Sequence, residues 1–204
     1  MAPVLTSLAC AGALATAALA STGAFATGSA AGTTPISTTA AHARVSCRGA
    51  HLRPSAHNVR AVDAATLCLI NRLRREHGLR ALRANRALRR VAASEVTSMV
   101  RGDYFADGRP SGRTPMSLVA LTRYRPHTAR IAVGENIAWG TGSDTTPARI
   151  VAAWLASPPH REVMLSAEYS DAGVSATPTV PALLHPHGRG ATYVVELGAR
   201  LARL

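Results

Sequence analysis

The stretch Gly134–His160, GENIAWGTGSDTTPARIVAAWLASPPH, leaves this chain the least freedom. It follows a strand-like apolar run, Ile131 to Val133, and its first residues, Gly134-Glu135-Asn136-Ile137, read as a tight glycine-flanked turn. Thr146-Pro147 then supplies an N-cap and a first helical position, where the missing proline N–H costs nothing. Ile150, Val151, Trp154 and Leu155 recur at helical spacing and mark the buried side. Ser157-Pro158-Pro159 stops that helix, because the residue before a proline is pushed out of helical geometry. The chain then makes a short turn through His160 and Arg161 toward Met164 and Leu165. One buried helix therefore separates a glutamate from a histidine, and a fold that packs this helix is expected to bring both to one cleft.

Upstream the pattern is helical scaffold. From Val59 to His77 the positions Val62, Thr66, Leu69, Ile70 and Leu73 share a face, with Asn58 as N-cap and Gly78 as stop. A second helix is expected from Asn85 to Arg101, with Leu88, Val91, Ala92, Val96 and Met99 inside and Gly102 at its end. Glu95 falls beside that stripe, either on the surface or as a polar partner inside. Arg72, Arg74, Arg75, Arg83, Arg86, Arg89 and Arg90 are placed on the outer faces, as a solvated surface or as an anion-binding patch. Gly102 to Pro115 contains three glycines and two prolines and reads as a loop. Thr114-Pro115 starts a short third helix through Met116, Leu118, Val119 and Leu121. Downstream, Ala172-Gly173-Val174 begins a strand and Tyr193 to Leu197 has the pattern of the last one.

The chain has 204 residues, enough for one ordinary domain with a real core. Hydrophobic residues make up 47% and aromatics 4%, so that core rests on Leu, Val, Ile and Ala. All 23 basic residues are arginine, and the net charge is +12. Such a charge favours anionic partners, such as acidic wall polymers or lipid headgroups, or serves only as a soluble basic surface.

Residues 1–26 carry no charged side chain, and an apolar run passes through Leu8 to Leu19. Ala18-Leu19-Ala20 and Ala24-Phe25-Ala26 have the small-x-small form of a signal-peptide cleavage site. The run is too short and too rich in small residues for a comfortable transmembrane helix. Residues 27–44, rich in Ser, Thr, Ala and Gly without apolar periodicity, read as a flexible linker. The remainder, 45–204, is expected to be one domain without internal repeats and without a transmembrane segment. Export removes Cys10 and leaves Cys47 and Cys68, most simply one disulfide in an oxidising compartment. Closing that loop is worth about 3 kcal/mol in the chain-entropy model.

In this order and spacing the residues resemble the CAP superfamily, that is, cysteine-rich secretory proteins, antigen 5 and pathogenesis-related 1 proteins. The bacterial secreted members of the SCP-domain type are the most similar. The resemblance spans Ala61 to Leu201. It is carried by Leu69-Ile-Asn-Arg-Leu-Arg-Arg-Glu-His-Gly-Leu79, Tyr104-Phe105, Gly134-Glu-Asn-Ile137, Trp154-Leu-Ala-Ser-Pro-Pro-His-Arg161 and Gly173-Val174. It implies an α+β fold, a three-layer α-β-α sandwich with a central antiparallel sheet. It also implies a cleft lined by two histidines and two acids, which hold a divalent cation in some members. Carried over by position, Glu135 matches the acid of the Gly-Glu-Asn motif and His160 matches the second histidine. Asp107 stands at the position of the first histidine, and Ser157 at that of the second acid.

Asp107, Glu135 and His160 could hold Zn²⁺ with an open position, or Mg²⁺, Ca²⁺ or Mn²⁺ with water completing the shell. The other reading has Glu135 and His160 bracing the cleft by hydrogen bonds. With Asn136 and Ser157 these residues form the candidate ligand site. His77, His127, His185 and His187 read as surface residues. No Gly-x-Ser-x-Gly elbow and no His-Glu-x-x-His signature occurs. A Glu135/His160 acid–base pair acting on water is the remaining catalytic candidate. The expected function is therefore a secreted or cell-wall-associated domain, non-catalytic. It would bind a small apolar ligand, a lipid or an anionic envelope polymer near the cleft. The alternative is a divalent-metal-assisted hydrolase of wall or protein substrates. Export, few aromatics and the lack of a reader motif argue against a nucleic-acid partner.

Overall fold

A computed structural model describes residues 46–124, 130–184 and 190–201. The proposed signal peptide and linker, together with His127, His185 and His187, lie outside the described residues. The elements in chain order are α1 (Val59–Glu76), β1 (Arg83–Ala84), α2 (Arg86–Gly102), α3 (Pro115–Ala120), β2 (Arg130–Thr141), α4 (Pro147–Ala156), α5 (Pro158–Leu165), β3 (Asp171–Thr177) and β4 (Gly190–Leu201). A single 3₁₀ turn, Gly142–Thr145, joins β2 to α4.

The sheet runs β1-β3-β4-β2. The last three strands are antiparallel, and the two-residue β1 adds a short parallel pairing, so the sheet is mixed at one end. Strand alternation divides the core. Tyr193, Val195 and Leu197 of β4 face α1, α4 and α5, where they pack with Val62, Ile70, Trp154 and Met164. Val194 and Ile137 face the other way, onto Ala92, Val96 and Met99 of α2. Helices thus cover both faces, giving the three-layer α-β-α sandwich.

Each helix starts and stops for local reasons. Gly78 ends α1 at φ +70, and the Leu79 N–H donates to the Arg74 carbonyl, the bond that closes a Schellman cap. Asn85 caps α2 by accepting from the N–H groups of Ala87 and Leu88. Thr114 and Ser117 form a reciprocal capping box ahead of α3. Cys47 and Cys68 form the disulfide, with Cα atoms 5.6 Å apart across a separation of 21 residues.

Several expectations need correction. Gly134-Glu135-Asn136-Ile137 is not a turn but the middle of β2, paired with β4 over its whole length. Gly134 is there for space: a Cβ would lie 2.5 Å from the Tyr169 hydroxyl. The turn after Ser157 is a helix, α5, because prolines in a first turn preorganise φ instead of breaking it. Asn58 and Thr146 stand at N-cap positions without side-chain caps, and Asn58 instead bonds Arg53 and Ser55. Helix α2 runs through Gly102, and Asp103 in the left-handed region ends it.

Arg74 is not on an outer face. It is 1% exposed, and its guanidinium donates to the carbonyls of Arg80, Met164, Ser166 and Tyr169. The turn after α1, the end of α5 and the approach to β3 are thereby tied to one side chain.

Candidate functional site

The cleft lies at the β2 edge of the sheet. Its walls are the loop after α2 (Phe105, Ala106, Asp107), the β2 residues Ile137 to Trp139, and the α4–α5 junction with Ser157 and His160. The volume is about 450 Å³, within the usual range for small-molecule sites. Trp139 is 38% exposed and Trp154 1% exposed, so the first offers its ring to a ligand while the second builds the wall. Trp154 also donates from Nε1 to the Ile137 carbonyl at 3.0 Å, which fixes α4 against the edge strand.

Strand alternation explains the motif at β2. Asn136 points toward α5, and its Nδ2 donates to the His160 carbonyl at 2.8 Å. It thereby pins the start of α5 to the sheet. Glu135 points the opposite way, into the α2 layer, and its cross-strand partner is Glu196 of β4. Glu196 is fully buried, and the carboxylate oxygens of both residues are out of reach of any other donor.

Two such carboxyls cannot both ionise at low cost, so both have raised proton affinities. Burial pushes Glu135 up to about 7; the hydrogen bond from Glu196 pulls it back, while the charges of Glu95 and Asp107 add to the rise. Burial, then the charge of Glu135, raises Glu196 well above its ordinary range.

A further acid, Glu95, sits in the same layer, buried on α2. Arg109 donates to it from Nε at 2.7 Å and bonds Ser94 as well. That ion pair anchors the glycine-rich loop two residues beyond Asp107. Glu95 is thus the polar partner inside, and it positions a wall of the cleft.

His160 and Ser157 do meet: the imidazole Nδ1 and the Ser157 Oγ are 2.8 Å apart. Ser157 is the N-cap residue of α5 and His160 its third helical position, so the contact closes the first helical turn. Asp107, Ser157 and His160 line the cleft; Glu135 is not among its lining residues, but it lies on the same face of β2 as the cleft residue Ile137, and the charge of Asp107 reaches it. Among the described residues no three His, Cys, Asp or Glu side chains converge as metal ligands. The candidate set Asp107, Glu135 and His160 therefore does not fit a divalent ion as it stands. His77 is exposed, with Nδ1 against the Leu73 carbonyl.

Sequence reasoning misses Arg109, Trp139 and Glu196. Glu196 had a signal: it is the charged residue in the apolar run Tyr193-Val-Val-Glu-Leu197, two positions from Val194 and so on the same face. Arg109 lies in a loop, where no periodicity predicts a partner.

The profile of the cysteine-rich secretory protein family, CAP, matches residues 67–179. The uncharacterized protein YkwD of Bacillus subtilis is 28% identical over 137 residues, covering 67% of this chain and 51% of that protein. The chain thus spans about half the length of that relative. Among solved structures, an outer surface protein from Borrelia burgdorferi matches with a TM-score of 0.54 at 22% identity, over 66% of this chain and 90% of that one. An extracellular SCP-domain protein from Bacillus anthracis matches with a TM-score of 0.51 at 20% identity, over 69% and 40%. No helix among the described residues is long and apolar enough to cross a membrane. The family match covers more than half of the chain, from the middle of α1 past the end of β3, and the chain belongs to the CAP, or cysteine-rich secretory protein, family.

Proposed function

We propose that this protein is an exported, non-catalytic binding domain whose cleft takes a component of the cell envelope. The observation that carries this reading is that Glu135 and His160 each have a different neighbour and no hydrogen bond joins them among the described residues. The acid of the Gly-Glu-Asn motif is engaged with Glu196 inside the sheet, while the histidine is engaged with Ser157 at a helix start. Among the described residues no hydrogen bond joins Asp107 to His160, and the rest of the lining is suited to contact: the rings of Trp139 and Phe105 and the apolar Ile137. Aromatic surface with a few hydrogen-bonding groups is the usual composition of a ligand pocket. The charge-free leader supports export, in agreement with the outer-surface and extracellular descriptions of the structural neighbours. The net charge of +12 adds a salt-sensitive attraction to anionic wall polymer or lipid.

The test is sedimentation with purified cell wall and with anionic lipid vesicles at low and at physiological salt. Tryptophan fluorescence reports the cleft. Binding is expected on one of these materials, with a salt-resistant part that Trp139→Ala removes. No binding to either material at low salt would sink the reading. The metal-assisted hydrolase alternative predicts a stoichiometric divalent ion in the purified protein. It also predicts turnover that His160→Ala and Glu135→Ala abolish, which metal analysis and peptide or glycan hydrolysis assays decide.

A further inference from the structure

The cleft occupies one edge of the sheet, and the other edge is open. β1 pairs with β3 only at Asp171 and Ala172, so past Ala172 β3 has no strand on that side among the described residues. A cavity of about 310 Å³ fills this gap, between α1 and the start of α2. Arg60, Asp63, Ala64 and Leu67 form its α1 wall, spaced so that all four lie on one helical stripe. Arg86 and Arg89 of α2 face them, with Val174 on the floor.

Three guanidinium groups here meet one carboxylate, and that carboxylate is already engaged. Asp63 Oδ1 accepts from the Ala176 N–H at 2.9 Å, and Oδ2 lies 3.3 Å from Arg89. Arg60 and Arg86 have no acidic partner among the described residues. Alternation along β3 adds a donor. The Ala172 carbonyl accepts from Asn85, and the Ala176 N–H donates to Asp63, so the Val174 N–H between them points out of the same edge. Between the charged groups the lining is apolar: Ala64, Leu67 and Val174.

We propose that this cavity is a second ligand site, independent of the cleft, for a phosphate monoester with a compact apolar body. Two guanidinium groups without acidic partners match a phosphate dianion, whose oxygens accept the paired N–H groups of the arginine fork. The apolar body displaces water from Ala64, Leu67 and Val174, a contribution that a bare inorganic anion cannot make.

Phenyl phosphate is the probe, with inorganic phosphate and phenol as controls. It is titrated into the disulfide-bonded protein by calorimetry and by amide NMR. Phenyl phosphate is expected to saturate with shifts centred on Leu67, Ala172 and Val174, and to bind more tightly than either control. Arg60→Gln combined with Arg86→Gln should weaken it at least about tenfold. Ala64→Leu fills the cavity and leaves every charge in place; it should weaken phenyl phosphate while sparing the weak binding of inorganic phosphate. All three positions are exposed, so the fold should persist, and circular dichroism verifies this. Trp139→Ala, which reports on the cleft, should leave phenyl phosphate binding unchanged. The proposal is overturned if phenyl phosphate does not bind at millimolar concentration. It is equally overturned if phenyl and inorganic phosphate bind alike and Ala64→Leu affects neither, since the arginines are then only a basic surface. Loss of binding in Trp139→Ala would assign the ligand to the cleft instead.

Discussion

Glu135 and Glu196 stand opposite each other in the β2–β4 register, both carboxyls inside the layer that α2 covers. Their folded-state affinities for protons exceed those of the unfolded chain, because burial penalises the charge. The native state therefore binds more protons than the unfolded state once pH passes the ordinary glutamate range, and stability falls as pH rises. For Glu135 the loss begins near 4.5 and is complete above about 7; for Glu196 it extends higher. Asp63, raised by burial to about 6, adds a loss of the same sign. The melting temperature should fall from pH 5 to pH 8.5. In Glu196→Gln the amide donates to the Glu135 carboxylate, so most of that slope should vanish. The variant should gain on the order of 2 kcal/mol at pH 8. A slope equal to that of the parent would show that this carboxyl pair does not set it. Arg74 belongs to the same scale. Its position in an arginine-rich helix, beside Arg72 and Arg75, gives no sign that it alone turns inward, since the carbonyls it holds lie up to 95 residues away. Arg74→Met should cost about 3 kcal/mol or more, because it leaves buried carbonyls without a donor. Chemical denaturation measures the loss.

At the scale of elements, helices were legible and the edge strand was not. The α1, α2 and α4 stripes recur at the helical period over two or more turns, and burial follows them closely. β2 gave way to a turn reading because Gly134 and Asn136 are both turn formers. Its pairing with β4 is a long-range fact that overrides local preference. The same limit hid β1, whose two residues pair only because α2 starts immediately after them. Cys47–Cys68 and the junction of α2 with β3 are the places where elements lock together. Gly173 is expected to tolerate no side chain: a Cβ would lie 2.0 Å from the Arg89 backbone nitrogen, inside the first turn of α2. Backbone cannot yield as a flexible side chain does, so Gly173→Ala should displace α2 from the sheet. We expect a loss of about 3 kcal/mol or more, toward the top of the range for overpacked sites. Asn85→Ala, which removes only the cap of the same helix, should cost about 1 kcal/mol. Urea unfolding of the two variants separates the effects, and a smaller loss for Gly173→Ala than for Asn85→Ala would contradict this packing.

For the whole molecule, the order of motifs along the chain carried the family and the three layers, while the site chemistry depended on which way single side chains turn. Glu135 and His160 belong to one motif order, yet strand alternation sets the acid opposite Glu196 on the α2 side of β2, while its neighbour Asn136, on the other side, bonds the His160 carbonyl. The disulfide shows how distant parts are made to depend on each other. It joins Cys47 to α1, and three residues later the Ala50 carbonyl accepts from the Ala148 N–H at the start of α4, at 2.9 Å. Reducing the bond frees the segment that caps α4, and α4 carries the Trp154 wall of the cleft. Removal of a crosslink of this length costs about 3 kcal/mol in the chain-entropy model. In a domain of this size that lowers the melting temperature by roughly 6–12 °C. Cys47→Ala combined with Cys68→Ala should reproduce the effect of reduction. Hydrogen exchange should rise first at Ala148 to Trp154 and last in β4. Uniform protection across the two regions after reduction would show that the N-terminal segment does not hold α4 in place.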